Sequence, residues 1–154
     1  MINTIYLAGP VDIGKDINWK DALTKKFDEA KIQAIFFNPA TALKLVGGNG
    51  MTPEIAEYIE DVNNTALDLA DIFICSLPKG VQTVGTIVEL DRCKRLHKKV
   101  ILITDIDVVQ SAYLLNRTIP ENIVYICQDN IDEALNIVVM KVDINTQLYS
   151  DYND

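Results

Sequence analysis

The stretch Ile5-Tyr6-Leu7-Ala8-Gly9-Pro10 decides the fold. Its first four residues show no alternation of apolar and polar side chains, so a strand there is covered on both faces, and Gly9-Pro10 stops it. Runs of the same kind recur at Ala34-Ile35-Phe36-Phe37, which ends at Asn38-Pro39, at Asp71-Ile72-Phe73-Ile74-Cys75, at Val100-Ile101-Leu102-Ile103 and at Ile123-Val124-Tyr125-Ile126. Between these runs the apolar residues change to helical spacing. Trp19, Leu23, Phe27 and Ala30 follow the first strand. Ile55, Ile59, Val62, Ala66 and Leu69 precede the third, and Ile131, Ala134, Leu135, Val138 and Val142 line a last helix. Thr52 with Pro53 behind it is a helix start signal. Another helix is expected to leave the loop from Pro78 to Gly85 and to run to about His97.

Continuously apolar strands separated by helices specify a parallel sheet with helices on both faces. Five such strands predict a single-domain α/β fold, flavodoxin-like or Rossmann-like. The 154 residues suit one domain, without repeats or a linker. That domain is expected over residues 1–145, with a polar tail over residues 146–154. Ligands of such sheets bind beyond the C-terminal ends of the strands. A site is therefore expected among the loops at residues 9–16, 38–52, 77–85 and 104–110.

Charge and composition narrow the partners. The formal net charge is −8 and the lysines and arginines are scattered, which argues against a nucleic-acid surface. The one basic cluster, Lys94, Arg95, Lys98 and Lys99, reads as a solvated helix end, and His97 lies within it. A single histidine supports neither a Ser-His-Asp site nor a His-rich metal site. Cys75, Cys93 and Cys127 are odd in number and have no metal-ligand spacing, so they read as core thiols of a reduced, cytoplasmic protein. The start of the chain lacks the pattern of a signal peptide, and no apolar run approaches the roughly 18 residues that span a bilayer. No membrane partner is expected.

Two places could carry chemistry. Gly9 presents no side chain where the first strand leaves the sheet, so a ligand can approach the backbone; a plain turn explains it equally well. Phosphate-loop and three-glycine dinucleotide motifs are absent. The run Val84-Gly85-Thr86-Ile87-Val88-Glu89 is expected to set a carboxylate in the first helical turn at the ligand edge, where the helix dipole favours its charged form. A charged carboxylate can attack an anomeric carbon. The spacing Thr86-x-x-Glu89 also fits a capping box, which would turn Glu89 back along its own helix. Tyr6 reads as a core aromatic, and Trp19 as the anchor of the first helix near the same edge. Asp68 and Asp71 flank a helix–strand junction, where Asp71 can cap backbone donors.

Taken in order and at their spacing, Tyr6-Leu7-Ala8-Gly9-Pro10 with Trp19, Ala70-Asp71-Ile72-Phe73-Ile74, and Gly85-Thr86-x-x-Glu89 ahead of a basic segment resemble the nucleoside 2-deoxyribosyltransferase family over roughly residues 4–126. The resemblance implies a flavodoxin-like sheet, Glu89 as a nucleophile that forms a covalent deoxyribosyl intermediate, and Tyr6 as its hydrogen-bonding orienter. It implies substrate contacts at Ala8, Gly9, Pro10, Trp19, Asp71, Gly85 and Thr86. Neither cofactor nor metal is implied. A homo-oligomer is, in which Ser111 or Asn116 completes a neighbour's site. The activity implied is N-deoxyribosyl transfer between bases.

The chain departs from the family pattern at one position. Eight residues before Asp71, where the family usually has an aspartate, it has Asn63, with Asp61 two residues away. An amide can hydrogen-bond but cannot supply a proton as a carboxylic acid does. Either Asp61 takes the role, or Asn63 recognises a different base, or the site binds without turnover. The first loop offers only Lys15 as a basic phosphate contact, which favours a nucleoside over a nucleotide, and Lys79-Gly80-Val81-Gln82-Thr83 could add polar contacts. The alternatives are a nucleoside 5′-monophosphate N-glycosidase, a nucleotide-binding module without catalysis, and an interaction domain of the same fold.

Overall fold

The computed structural model describes residues 2–10, 18–41, 50–78, 84–104, 123–126 and 130–150. Strands β1 (Asn3–Ala8), β2 (Ala34–Phe37), β3 (Ile72–Leu77), β4 (Lys99–Thr104) and β5 (Ile123–Ile126) and helices α1 (Trp19–Glu29), α2 (Pro53–Leu69), α3 (Val84–Arg95) and α4 (Ile131–Ser150) follow one another, among the described residues, as β1-α1-β2-α2-β3-α3-β4-β5-α4. All pairings are parallel and the order is β2-β1-β3-β4-β5. This is the flavodoxin-like order, which separates the fold from the Rossmann order that the sequence left open. For β5 only the backbone pairing is described.

The pleat of the strands divides the core. Ile5, Leu7, Ile72, Ile74, Ile101 and Ile103 face α1 and α4, whose Trp19, Leu23, Phe27, Ala134, Leu135, Val138 and Val142 are buried against them. Tyr6, Ala8, Phe73, Cys75, Leu77, Val100 and Leu102 face α2 and α3, which supply Leu67, Leu90 and Cys93. Apart from Ser76 and Thr104 at the C-terminal ends of β3 and β4, the buried residues of β1, β3 and β4 are thus apolar whichever way they point, as the continuous runs required.

The helix ends follow local chemistry. The side chain of Asn18 accepts hydrogen bonds from the Lys20 and Asp21 amides to start α1, and Thr52 Oγ1 accepts from the Ile55 amide ahead of Pro53 to start α2. Both α1 and α3 close in the six-to-one turn that needs a left-handed residue, and that residue is Lys31 (φ 57°) in one and His97 (φ 53°) in the other. His97 is exposed at a helix end, as read from the sequence. Within the basic cluster, Lys98 Nζ donates to the carbonyls of Asp68 and Ala70 at the end of α2, so it closes that helix.

Three expectations need correction. The buried stripe of α2 is rotated: Ile59 and Leu67 are buried, whereas Leu69 is 72% exposed. The apolar side comprising Val62, Ala66 and Leu69 lines, with Phe37, Asp61 and Thr65, an open groove of about 360 Å³. β2 is a four-residue edge strand, too short to cover that side of the helix. The polar tail expected from residue 146 is instead helical as far as Ser150. Helix α3 begins at Val84, so Thr86 lies inside its first turn and is not its N-cap, the capping-box reading fails, and Glu89 lies in the second turn, past the one where the helix dipole acts most. Lys15, residues 79–83, Ser111, Asn116, Cys127 and residues 151–154 fall outside the described residues.

Candidate active site

The site begins with a register. Parallel pairing sets Tyr6 of β1 level with Phe37 of β2 on one side and Phe73 of β3 on the other. All three side chains lie on the α2–α3 face, and the rings stack in a row, with centroids 5.3 Å apart for Tyr6–Phe37 and 5.6 Å for Tyr6–Phe73. The phenol ring of Tyr6 is therefore clamped on both faces, and its hydroxyl has little freedom of aim. That hydroxyl donates to Glu89 Oε1 of α3 across 2.6 Å. A distance this short is typical of an O–H donor to a charged carboxylate. The two residues that the sequence paired only by resemblance, 83 positions apart, touch.

Burial sets the electrostatics of the pair. It pushes the Glu89 carboxyl above its ordinary value of 4.5, against the opposing pulls of the Tyr6 hydrogen bond and the Lys20 charge. Burial and the adjacent Glu89 charge push the Tyr6 phenol upward, so it stays a protonated donor. Cys93, one helical turn beyond Glu89, is pushed up to about 12 by burial, and Cys75 also rises, so neither thiol is a nucleophile at neutral pH. This agrees with the reading of both as core thiols.

Lys20 was not foreseen. It is 2% exposed, in the first turn of α1, and its Nζ donates to Asn38 Oδ1 at 3.0 Å. Burial lowers it to about 8, opposed by the Glu89 charge. A signal was present in the sequence: Lys20, Leu23 and Phe27 share one helical stripe, so a lysine sat among core positions.

At the C-terminal edge of β1 the close approach to Gly9 is that of a neighbouring strand, where the sequence suggested a ligand. Gly9 has φ +111°, and a Cβ there would fall 2.5 Å from the Ser76 carbonyl oxygen of β3. The chain leaves β1 for β2 on one side and returns to β3 on the other, so Gly9 stands at the switch point where doubly wound sheets open a crevice. Trp19 Nε1 donates to the Pro10 carbonyl at 2.8 Å and ties the start of α1 to that edge. Ala8 and Thr86 are buried near the edge, and Gly85 has open space around it.

Other expected residues lie elsewhere. Asp71 sits at the N-terminal end of β3, where its Oδ2 accepts from the Thr4 amide at 2.8 Å and its own amide donates to the Thr4 carbonyl at 2.8 Å. That is the end of the sheet away from Gly9, so the substrate contact implied for Asp71 is replaced by the capping role its residue type suggested. Asp68 pairs with Arg92 through two hydrogen bonds of 2.7 and 2.6 Å and links α2 to α3. Asp61 is exposed on the rim of the apolar groove. Asn63 is one turn from both Ile59 and Leu67 on the buried stripe, and its Oδ1 is buried with no hydrogen-bond partner among the described residues. Of Asn63 and Asp61, Asn63 is the one turned inward. No described helix is long and apolar enough to cross a membrane.

No protein-family model and no curated protein matches the sequence. Solved structures do match. A 2-deoxyribosyltransferase from Bacillus psychrosaccharolyticus superposes with a TM-score of 0.51 at 20% identity, covering 66% of this chain and 72% of that one. The CMP N-glycosidase BcmB of Clostridium botulinum gives 0.60 at 19% identity, covering 90% and 98%. A conserved protein of Enterococcus faecalis V583 gives 0.63 at 12% identity, covering 94% and 99%. The fold implied by the sequence resemblance is thus the fold this chain shares with a deoxyribosyltransferase and a nucleotide N-glycosidase.

Proposed function

We propose that this chain cleaves the N-glycosidic bond of a small nucleoside or nucleotide, with Glu89 as nucleophile and Tyr6 as the group that aims it. The observation that carries the reading is the 2.6 Å hydrogen bond from the clamped Tyr6 hydroxyl to Glu89. A carboxylate held in a partly buried site, anchored through one oxygen by a neutral donor, keeps its second oxygen for attack. In the first step Oε2 bonds to C1′ of the sugar while the C1′–N bond breaks. The electron pair leaves with the base, which takes a proton from water, and a glycosyl ester remains on Glu89. In the second step a nitrogen of an acceptor base bonds to C1′ and gives up its proton to the hydroxide left by the first step, while the ester C–O bond breaks, which restores the carboxylate. Two displacements give net retention, as in retaining glycosidases.

Deoxyribosyl transfer is the leading form of this activity. Hydrolysis of a nucleoside 5′-monophosphate, with water in the second step, is favoured by one finding: the superposition on the CMP N-glycosidase spans nearly all of both chains. Asn63 offers a buried acceptor for an amino or hydroxyl donor of the substrate. The site would be shared between copies in a homo-oligomer. Incubating the protein with deoxynucleosides and their monophosphates, with and without free adenine or cytosine, tests these forms. New deoxynucleosides formed only with acceptor base support transfer. Free base from monophosphates alone supports hydrolysis. Ligand that is bound and recovered unchanged contradicts both.

A further inference from the structure

The outer edge of β2 and the side of α2 that faces it share one open surface. Among the described residues no strand pairs with that edge, since β2 stands last in the sheet and its one pairing is with β1. Ala34-Ile35-Phe36-Phe37 has none of the charges, prolines or bulges that commonly blunt an edge strand. The pleat turns Ala34 and Phe36 toward α1 and Phe37 toward α2. Ile35, two residues before Phe37, shares its face and is 58% exposed. Opposite them, Val62, Thr65, Ala66 and Leu69 of α2 form the other wall of the open groove of about 360 Å³. The groove runs along the strand. Asp71, just past α2, bonds Thr4, and Thr4 is the register partner of Ile35, so Leu69 lies at the Ile35 end and Val62 toward Phe37. Contiguous exposed apolar surface rimmed by polar residues marks a binding site. An extended chain fits this one: its backbone adds to a bare strand edge, and alternate side chains drop into the groove beside it.

Charge selects the occupant. Helix α2 carries Glu54, Glu57, Glu60, Asp61 and Asp68, and no lysine or arginine. Asp68 is paired with Arg92. Glu54 and Asp61 are exposed and seven residues apart, on one flank of the helix, and Asp61 lines the groove, so the rim is acidic at the Phe37 end. Two copies of this chain joined through their β2 edges would set two such helices side by side across the seam, with like charges facing each other. A basic side chain at that end meets the carboxylates instead. We propose that β2 and α2 form a docking site for an extended segment of a partner protein. The segment pairs with β2 as an added strand, and its groove-facing residues are two apolar side chains and then a lysine or arginine. The apolar pair is buried against Phe37, Val62, Ala66 and Leu69, and the basic residue reaches Asp61 and Glu54. This surface stands apart from the Tyr6–Glu89 pair, and the inference does not rest on the proposed function.

The test uses the full chain and a short synthetic peptide in which threonine alternates with, in turn, valine, valine and lysine, together with the same peptide in reversed order. Binding is followed by NMR on nitrogen-15-labelled protein. One of the two peptides is expected to shift the backbone amides of Ile35, Phe37, Val62 and Ala66. Ile35→Lys and Leu69→Lys, both at mostly exposed positions, are each expected to weaken that binding by about tenfold or more. Glutamate in place of the peptide lysine is expected to weaken it as well, with a smaller difference at high salt. Alternate peptide amides point at β2, so N-methylation of one alternating set is expected to abolish binding and of the other set to leave it. Simple charge attraction would treat the two methylated forms alike. Shifts from neither peptide, equal binding of both methylated forms, or unmoved affinity in Ile35→Lys and Leu69→Lys overturns the inference. So does a dimer seen in sedimentation that Ile35→Lys dissociates, because a second copy then occupies the edge.

Discussion

At the scale of single residues, the Tyr6–Glu89 contact makes separable predictions. Hydrogen bonds to charged groups contribute about 1.5–3 kcal/mol, so Tyr6→Phe is expected to lower kcat/KM by roughly ten- to a hundredfold. It is also expected to move the acid limb upward, since the lost bond favoured the charged carboxylate. Steady-state rates across pH check both; an unchanged acid limb would mean that the phenol does not act on Glu89. The same burial has a consequence for stability, and its sign is fixed. The folded-state value of Glu89 lies above the ordinary 4.5, so the native state binds the proton more tightly than the unfolded chain. The resulting penalty grows as pH rises from about that value and is complete once the folded-state value is passed. Glu89→Gln removes the charge and keeps an acceptor for Tyr6, so it is expected to raise Tm at pH 7 while abolishing turnover. A lower Tm would contradict the burial argument. Lys20 shows why part of this site was hidden in the sequence. Its neighbours on the helix announced a buried position, but the partner that fixes it, Asn38, comes from a separate loop 18 residues on.

At the scale of elements, the strands were legible because a parallel sheet covered on both faces needs uninterrupted apolar runs, and few other structures do. Helix α2 was harder. Its apolar face is wider than its contact with the sheet, so periodicity alone selected Val62, Ala66 and Leu69, which border an open groove, over Leu67, which is buried. The start of α3 was ambiguous for a similar reason: a threonine three residues before a glutamate fits a cap or a first turn equally well. The β1–β3 approach predicts that Gly9→Ala is destabilising, by at least about 2 kcal/mol, since the φ of +111° is closed to alanine and the Cβ meets a backbone oxygen. Denaturant unfolding checks it; a loss under 0.5 kcal/mol would mean that β1 and β3 separate easily there. The closing turn of α3 predicts the opposite sign. His97→Gly relieves a left-handed non-glycine residue at an exposed position and is expected to stabilise by about 1 kcal/mol. The Asp68–Arg92 pair between α2 and α3 is more than a third exposed on both partners. Breaking it with Asp68→Asn is therefore expected to lower stability by less than about 1 kcal/mol, with a smaller effect at high salt.

At the scale of the whole molecule, strand order does the organising. The path from β1 out to β2 and back to β3 opens a crevice at Gly9, and the connection from β3 to β4 carries Glu89 on α3 over the face where Tyr6 points. One topology therefore brings a residue near the start of the chain to one past its middle, a proximity that spacing could not show and that resemblance alone implied. Asp71 marks the limit of that resemblance: its strand is where the pattern put it, but the residue lies at the opposite end of the sheet from Gly9. The central claim is that Glu89 carries the sugar. Intact-mass measurement after rapid acid quench, on protein mixed with a substrate it cleaves and no acceptor base, tests it most directly. The account predicts a mass increase of one sugar residue, located on the peptide that contains Glu89 and absent in Glu89→Ala. Cleavage of the substrate by Glu89→Ala at the wild-type rate, or a sugar attached to any other side chain, would contradict it.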